Sequence, residues 1–71
     1  MELYRNKHYT TKDGNVLVFR SKMSGNNPTE YCVADLFVLS DGHYIDKPIT
    51  LTAKEIKALL GFNKATKIKI I

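Results

Sequence analysis

Cys32, His8 and His43 are the cysteine and histidines of this sequence, the types that form a thiolate–imidazole pair or a Cys/His metal site. A thiolate–imidazole pair becomes a nucleophile when a histidine can take the thiol proton. Cys32, however, begins an apolar run, Cys32-Val33-Ala34, where a cysteine reads as a small buried hydrophobe. His43 follows a turn pair and His8 lies among polar neighbours, so both read as ordinary exposed residues. A structural zinc takes four Cys or His ligands. With Cys 1 and His 2 in the whole chain, neither a metal nor an intrachain disulfide is expected, and no cofactor is implied. A phosphate-cradling Gly-x-x-x-x-Gly-Lys loop, a Gly-x-Ser-x-Gly elbow, a His-Glu-x-x-His helix and a Cys-x-x-Cys pair are all absent from the sequence. The expectation is a protein that is not an enzyme.

Asp35 is the polar oddity, set inside the most apolar stretch, Tyr31 to Leu39. A buried carboxylate must be compensated. A lysine or arginine partner, or a backbone amide, is the structural explanation; a ligand pocket or a partner contact is the functional one. Asp46, on the following strand, is expected near it.

The charge is unevenly laid. Residues 1–51 carry equal numbers of basic and acidic side chains, whereas residues 52–71 carry Lys54, Lys57, Lys64, Lys67 and Lys69 against Glu55 alone. The whole net charge of +4 therefore belongs to the C-terminal end. Such a patch suits phosphate or an acidic protein surface. Exposed lysines also keep a small domain soluble and discourage pairing at a sheet edge. Among the aromatics, Tyr4, Tyr9 and Tyr44 are the candidates for a partner contact, since interfaces favour tyrosine, although strand propensity alone also places tyrosine in sheets.

The elements that must position these residues are marked by turns and caps. Asp13-Gly14 and Asp41-Gly42 each separate two extended runs, the pattern of a hairpin. The runs are Leu3 to Thr10 and Val16 to Ser21, then Tyr31 to Leu39 and His43 to Thr50, with the turn formers Ser24 to Pro28 between the hairpins. In the third run Tyr31, Val33, Phe37 and Leu39 point one way with Asp35, and Cys32, Ala34, Leu36 and Val38 the other. A strand apolar on both faces is normally central and covered twice, and its second covering is either the helix of this chain or a partner subunit. Pro48 cannot donate to a ladder, so the fourth strand ends there or lies on an edge.

Thr52-Ala53-Lys54-Glu55 is a capping box, with Leu51 and Ile56 placed as a hydrophobic staple. Ile56, Leu59 and Leu60 form one apolar stripe, and Gly61 supplies a left-handed stop before Phe62. A helix is expected over about 53–60, followed by an alternating strand in Thr66 to Ile71. The fold class that follows is α+β: a twisted, mostly antiparallel sheet of about five strands with one helix on one face.

Seventy-one residues make one domain near the lower size limit for a self-sufficient core. Association with a second subunit is the most open route to further burial. The leading expectation is a homodimeric module acting by protein–protein contact. By size and class alone it compares with phage or mobile-element accessory proteins that inhibit a host factor. The alternatives are a nucleic-acid-binding module using the basic C-terminal helix and strand, and a small-molecule or nucleotide binder at a dimer interface. No apolar run is long enough for a membrane span and the first residues lack a signal peptide, so a cytoplasmic location is expected.

Overall fold

The computed structural model describes residues 1–26 and 28–71. Its elements in chain order are β1 (Glu2–Leu3), β2 (His8–Thr10), β3 (Val16–Phe19), β4 (Tyr31–Ser40), β5 (His43–Thr52), α1 (Ala53–Leu60) and β6 (Lys69–Ile70). Strands β2 to β5 form an antiparallel meander, and β1 pairs with β6 in a separate parallel ladder. The α+β class is as the sequence implies, with one helix. The sheet is four-stranded with a parallel pair rather than about five-stranded.

Two differences from the sequence pattern explain that change. The run Leu3 to Thr10 is broken into β1 and β2 at Tyr4 to Lys7, because Asn6 takes a left-handed φ of 64° and its amide donates to the Phe19 carbonyl. Asparagine tolerates that conformation better than most residues. The freed β1 then receives the C-terminal strand, with Lys69 N–H donating to the Met1 carbonyl and Ile71 N–H to the Leu3 carbonyl. The last strand thus joins neither β5 nor an edge of the main sheet. Its alternation holds: Ile70 is buried and Ile68 half-buried, while Lys67 and Lys69 are exposed.

The loop expected at Ser24 to Pro28 includes Asn27, which lies outside the described residues. The second hairpin is the long one. Its two-residue turn places both Asp41 (φ 50°) and Gly42 (φ 83°) in the left-handed region, the type I′ geometry whose twist matches that of the flanking strands. Ten residues of β4 pair with ten of β5, from Tyr31↔Thr52 to Ser40↔His43.

Helix α1 forms as its caps direct. The Glu55 amide donates to Thr52 Oγ1 at 3.3 Å, and the Thr52 amide donates to Glu55 Oε1 at 3.0 Å. At the other end Gly61 sits at φ 74° and the Phe62 amide donates to the Lys57 carbonyl, the outer bond of a Schellman stop. The helix lays Ile56, Leu59 and Leu60 onto the sheet. The core is Leu3, Leu17, Phe19, Cys32, Ala34, Leu51, Ile56 and Ile70, with Tyr9, Leu36 and Phe62 packed on it half-buried. All of its sheet residues lie on one face, as the registers Tyr9↔Leu17, Leu17↔Leu36, Phe19↔Ala34 and Cys32↔Leu51 require.

Candidate functional site

The opposite face of the sheet carries no helix among the described residues. Register places Tyr31, Val33, Asp35, Phe37 and Leu39 of β4 there, together with Tyr44, Asp46, Pro48 and Thr50 of β5, Val16 and Val18 of β3 and His8 of β2. Four large hydrophobic residues stand exposed along it: Tyr31 and Val33 at 45%, Leu39 and Tyr44 at 51%. Thus β4 is apolar on both sides, as its sequence implies, but this chain covers only one of them. The helix accounts for the Cys32, Ala34 and Leu36 side. The four fall into two groups, Tyr31 with Val33 and Leu39 with Tyr44, separated along β4 by Asp35 and the half-buried Phe37.

The same face extends beyond the body of the molecule. Strand β3 pairs with β4 only from Ala34 to Phe37, so Val38 to Ser40 and His43 to Ile45 continue as a two-stranded ribbon. Past the end of β3, the Leu39 amide is capped by the Asn15 side-chain oxygen at 3.2 Å. The ribbon is apolar on both sides, with Leu39 beside Tyr44 on one and Val38 beside Ile45 on the other. It contributes to the elongated shape of the molecule, 38 × 22 × 18 Å. At its base His8, Val16, Phe37 and Tyr44 enclose a shallow depression of about 190 Å³ on the open face.

The outer edge of β5 is poorly suited to adding a strand. The Val33 carbonyl accepts from the Arg20 amide on the β3 side, so Val33 and every second residue of β4 point away from β5. Their partners Tyr44, Asp46, Pro48 and Thr50 therefore turn their backbone groups outward. Pro48 has no amide to offer there, which interrupts the edge at its middle. Its position on an edge is one of the two that the sequence allows.

Asp35 is compensated rather than orphaned. Arg20 Nε lies 2.6 Å from Asp35 Oδ2, with Asp35 17% exposed, and Arg20 Nη1 donates to Asn6 Oδ1 at 3.0 Å. Asp46 is indeed beside it. Partial desolvation raises the Asp46 carboxyl above the usual carboxylate range, and the charge of Asp35 and a hydrogen bond with it add to the rise, with Arg20 opposing. Arg20, Asp35 and Asp46 make a charged seam across an apolar face, with one cation against two carboxylates. Val18, also on this face, is buried beside it in the register Val18↔Asp35.

A thiolate–imidazole pair does not assemble. Cys32 is fully buried on the covered face, and burial pushes its thiol up to about 11. At neutral pH it is a thiol, not a thiolate. His8 is on the opposite face of the sheet, two strands away. His43 pairs with Ser40, eight residues further along β4, which at roughly 3.3 Å per residue is about 26 Å from Cys32. Among the described residues no group of three or more His, Cys, Asp and Glu side chains is placed to hold a metal.

The tyrosine candidates divide. Tyr44 lies on the open face. Tyr9 is half-buried on the covered side, its ring 5.7 Å from that of Phe19 and its hydroxyl accepting the Tyr4 amide at 2.8 Å. Tyr4 is exposed but sits in the connection after β1, where Lys7 Nζ lies 5.9 Å from its ring and 5.6 Å from that of Tyr9. Tyr4 and Tyr9 therefore hold the N-terminal turn together. Tyr31, Val33 and Leu39 are exposed residues of the open face that composition alone does not single out. The alternation in β4 groups them; which side the helix takes is the missing piece.

The five C-terminal lysines also divide. Lys54, Lys57 and Lys64 surround a basin of about 400 Å³ whose floor is Ala58 and Phe62. Lys69 stands instead beside Glu2 in the β1–β6 ladder, and the Lys67 carbonyl accepts from the terminal ammonium of Met1 at 2.7 Å. No helix among the described residues is long and apolar enough to cross a membrane. No family model, no curated protein and no solved structure matches the chain.

Proposed function

We propose that this protein is a non-enzymatic binding module that acts by protein–protein contact and pairs with a second copy of itself through the open sheet face. The observation that carries the reading is the row Tyr31, Val33, Leu39 and Tyr44, exposed on the uncovered side of a strand whose other side is core. The size of the face supports it. At about 3.3 Å per residue and 4.8 Å between strands, the hairpin and its neighbours present on the order of 450 Å² in projection. Two such faces stacked together bury roughly 1,000 Å², the threshold of a specific interface. Sheets stack face to face at about 10 Å with interdigitating side chains, and the depression between His8, Val16, Phe37 and Tyr44 offers a seat for such a side chain.

An inhibitory accessory role, of the kind small phage proteins play against host factors, is compatible with a module of this size and rests on size and class alone. The depression is likewise a foothold for the third possibility, a small ligand held at a dimer interface. The test of the main reading is the mass in solution by light scattering at micromolar protein. Twice the 8.1 kDa chain mass is expected, and Val33→Lys is expected to give the single-chain mass with its helix intact. A wild-type chain that stays at single mass up to hundreds of micromolar would remove the reading.

A further inference from the structure

The basin at the C-terminal end is a second surface, on the helix and the segment that follows it. Lys54 and Lys57 project from α1 and Lys64 from that segment, around an apolar floor of Ala58 and the half-buried Phe62. One rim residue is fixed in place: Lys57, itself half-buried, donates from Nζ to the Lys64 carbonyl at 2.9 Å. That bond ties the post-helical segment to the helix and holds one ammonium at the rim. None of the three lysines is within ion-pair distance of a carboxylate among the described residues, where the one salt bridge is Arg20–Asp35. The nearest carboxylate along the helix, Glu55, is engaged in the cap with Thr52.

Helix electrostatics explains part of this arrangement. A cation near the helix C-terminus is favourable, which suits Lys57 in the last turn. Lys54 is in the first turn of α1, where the helix end is itself positive and a cation is disfavoured. Solubility would be served equally well by a lysine on another face. Three unneutralised ammonium groups gathered over an aromatic floor match a ligand with closely spaced negative charges and a flat apolar part.

We infer that this basin binds single-stranded nucleic acid, with phosphates between Lys54, Lys57 and Lys64 and a base against Phe62. An unpaired strand supplies both elements: a charged backbone and bases free to lie on an aromatic side chain. Lysine contacts to phosphate carry no sequence code, so the binding is expected to be sequence-tolerant. Lys67 and Lys69, beside Met1 and Glu2, lie outside the contact.

The experiment is fluorescence anisotropy of a labelled mixed-sequence 12-nucleotide DNA strand titrated with the full chain over a range of salt. Three phosphate contacts predict a slope of log affinity against log salt of about −2, at roughly −0.7 per contact on a single strand. Lys54→Gln with Lys64→Gln should reduce it to about −0.7, while Lys67→Gln with Lys69→Gln should leave it at about −2. Phe62→Leu keeps an apolar side chain in the core and should weaken binding about five-fold or more, with the slope unchanged. Circular dichroism of each variant confirms the fold. The inference is overturned by absence of saturable binding at low salt, by an unchanged slope in the Lys54/Lys64 variant, or by poly-glutamate of equal charge binding as tightly as the strand.

Discussion

The two faces of β4 have nearly the same apolar content and opposite fates. On one, Cys32 and Ala34 are wholly buried beneath α1 with Leu17, Phe19, Leu51 and Ile56. On the other, Val33, Leu39 and Tyr31 stand about half exposed. A single eight-residue helix has one apolar stripe and can cover one face only. The chain has spent that helix on the side toward Cys32. The contrast teaches that one helix leaves half of this strand's apolar surface without a cover from its own chain, and the following changes break or sharpen it.

The largest effect is expected in the covered face. Phe19→Ala removes a fully buried ring and should cost about 3–5 kcal/mol, enough to unfold a domain of this size, as measured by urea titration. The matching change on the open face, Leu39→Ala, should alter the stability of the dilute single chain by less than about 0.5 kcal/mol. Comparable losses from both would mean that the open face is packed within one chain.

Next is the helix that creates the asymmetry. Gly61→Ala forces a side chain into φ 74°, and Thr52→Ala removes the cap oxygen. Each should lower stability by about 1 kcal/mol in thermal or chemical unfolding. If both were silent, the caps would not be what holds α1 on the Cys32 face.

Cys32 reports on the covered side directly. With its thiol pushed up to about 11 from an ordinary 9.0, iodoacetamide at pH 8 should label the folded protein far more slowly than the urea-unfolded one. The sign of the linkage follows. The folded state holds the thiol proton more tightly, so this contribution to stability is intact below pH 9.0 and is lost as pH rises toward about 11. Rapid labelling at pH 8 would show that the covered face opens.

The smallest effect belongs to the charged seam of the open face. The raised carboxyl of Asp46 favours its protonated form in the folded state, so its ionisation works against folding as pH rises through the carboxylate range. Asp46→Asn should raise the melting temperature slightly at pH 7, and the gain should shrink as acidification protonates Asp46 in the wild-type chain. A lower melting temperature at pH 7 would mean that Asp46 is held by a favourable contact instead.

Much of this architecture was legible in the residues, and the reason is local chemistry. Thr52, Glu55, Gly61 and the Ile56–Leu59–Leu60 stripe each specify a backbone geometry without reference to the rest of the chain, so the helix is readable to the residue. Asp41-Gly42 does the same for the long hairpin. The break at Asn6 and the pairing of β1 with β6 were not legible, because they depend on the long-range bonds Asn6 to Phe19 and Ile71 to Leu3. The site was readable in part. Alternation groups Tyr31, Val33 and Leu39 on one side, but only the three-dimensional path of α1 decides that this side is open. Likewise the count of C-terminal lysines is plain in the sequence, while the separation of Lys54, Lys57 and Lys64 from Lys67 and Lys69 follows from the Lys57–Lys64 bond and the β1–β6 ladder.

The central claim, that a second copy covers the open face and not the other side of the ribbon, is tested most directly by NMR with a soluble paramagnetic probe at high protein concentration. The methyl groups of Val33 and Leu39 should be shielded from the probe, while those of Ile45, 46% exposed on the opposite side of the same ribbon, should be broadened. Equal broadening of Val33, Leu39 and Ile45 would contradict the account.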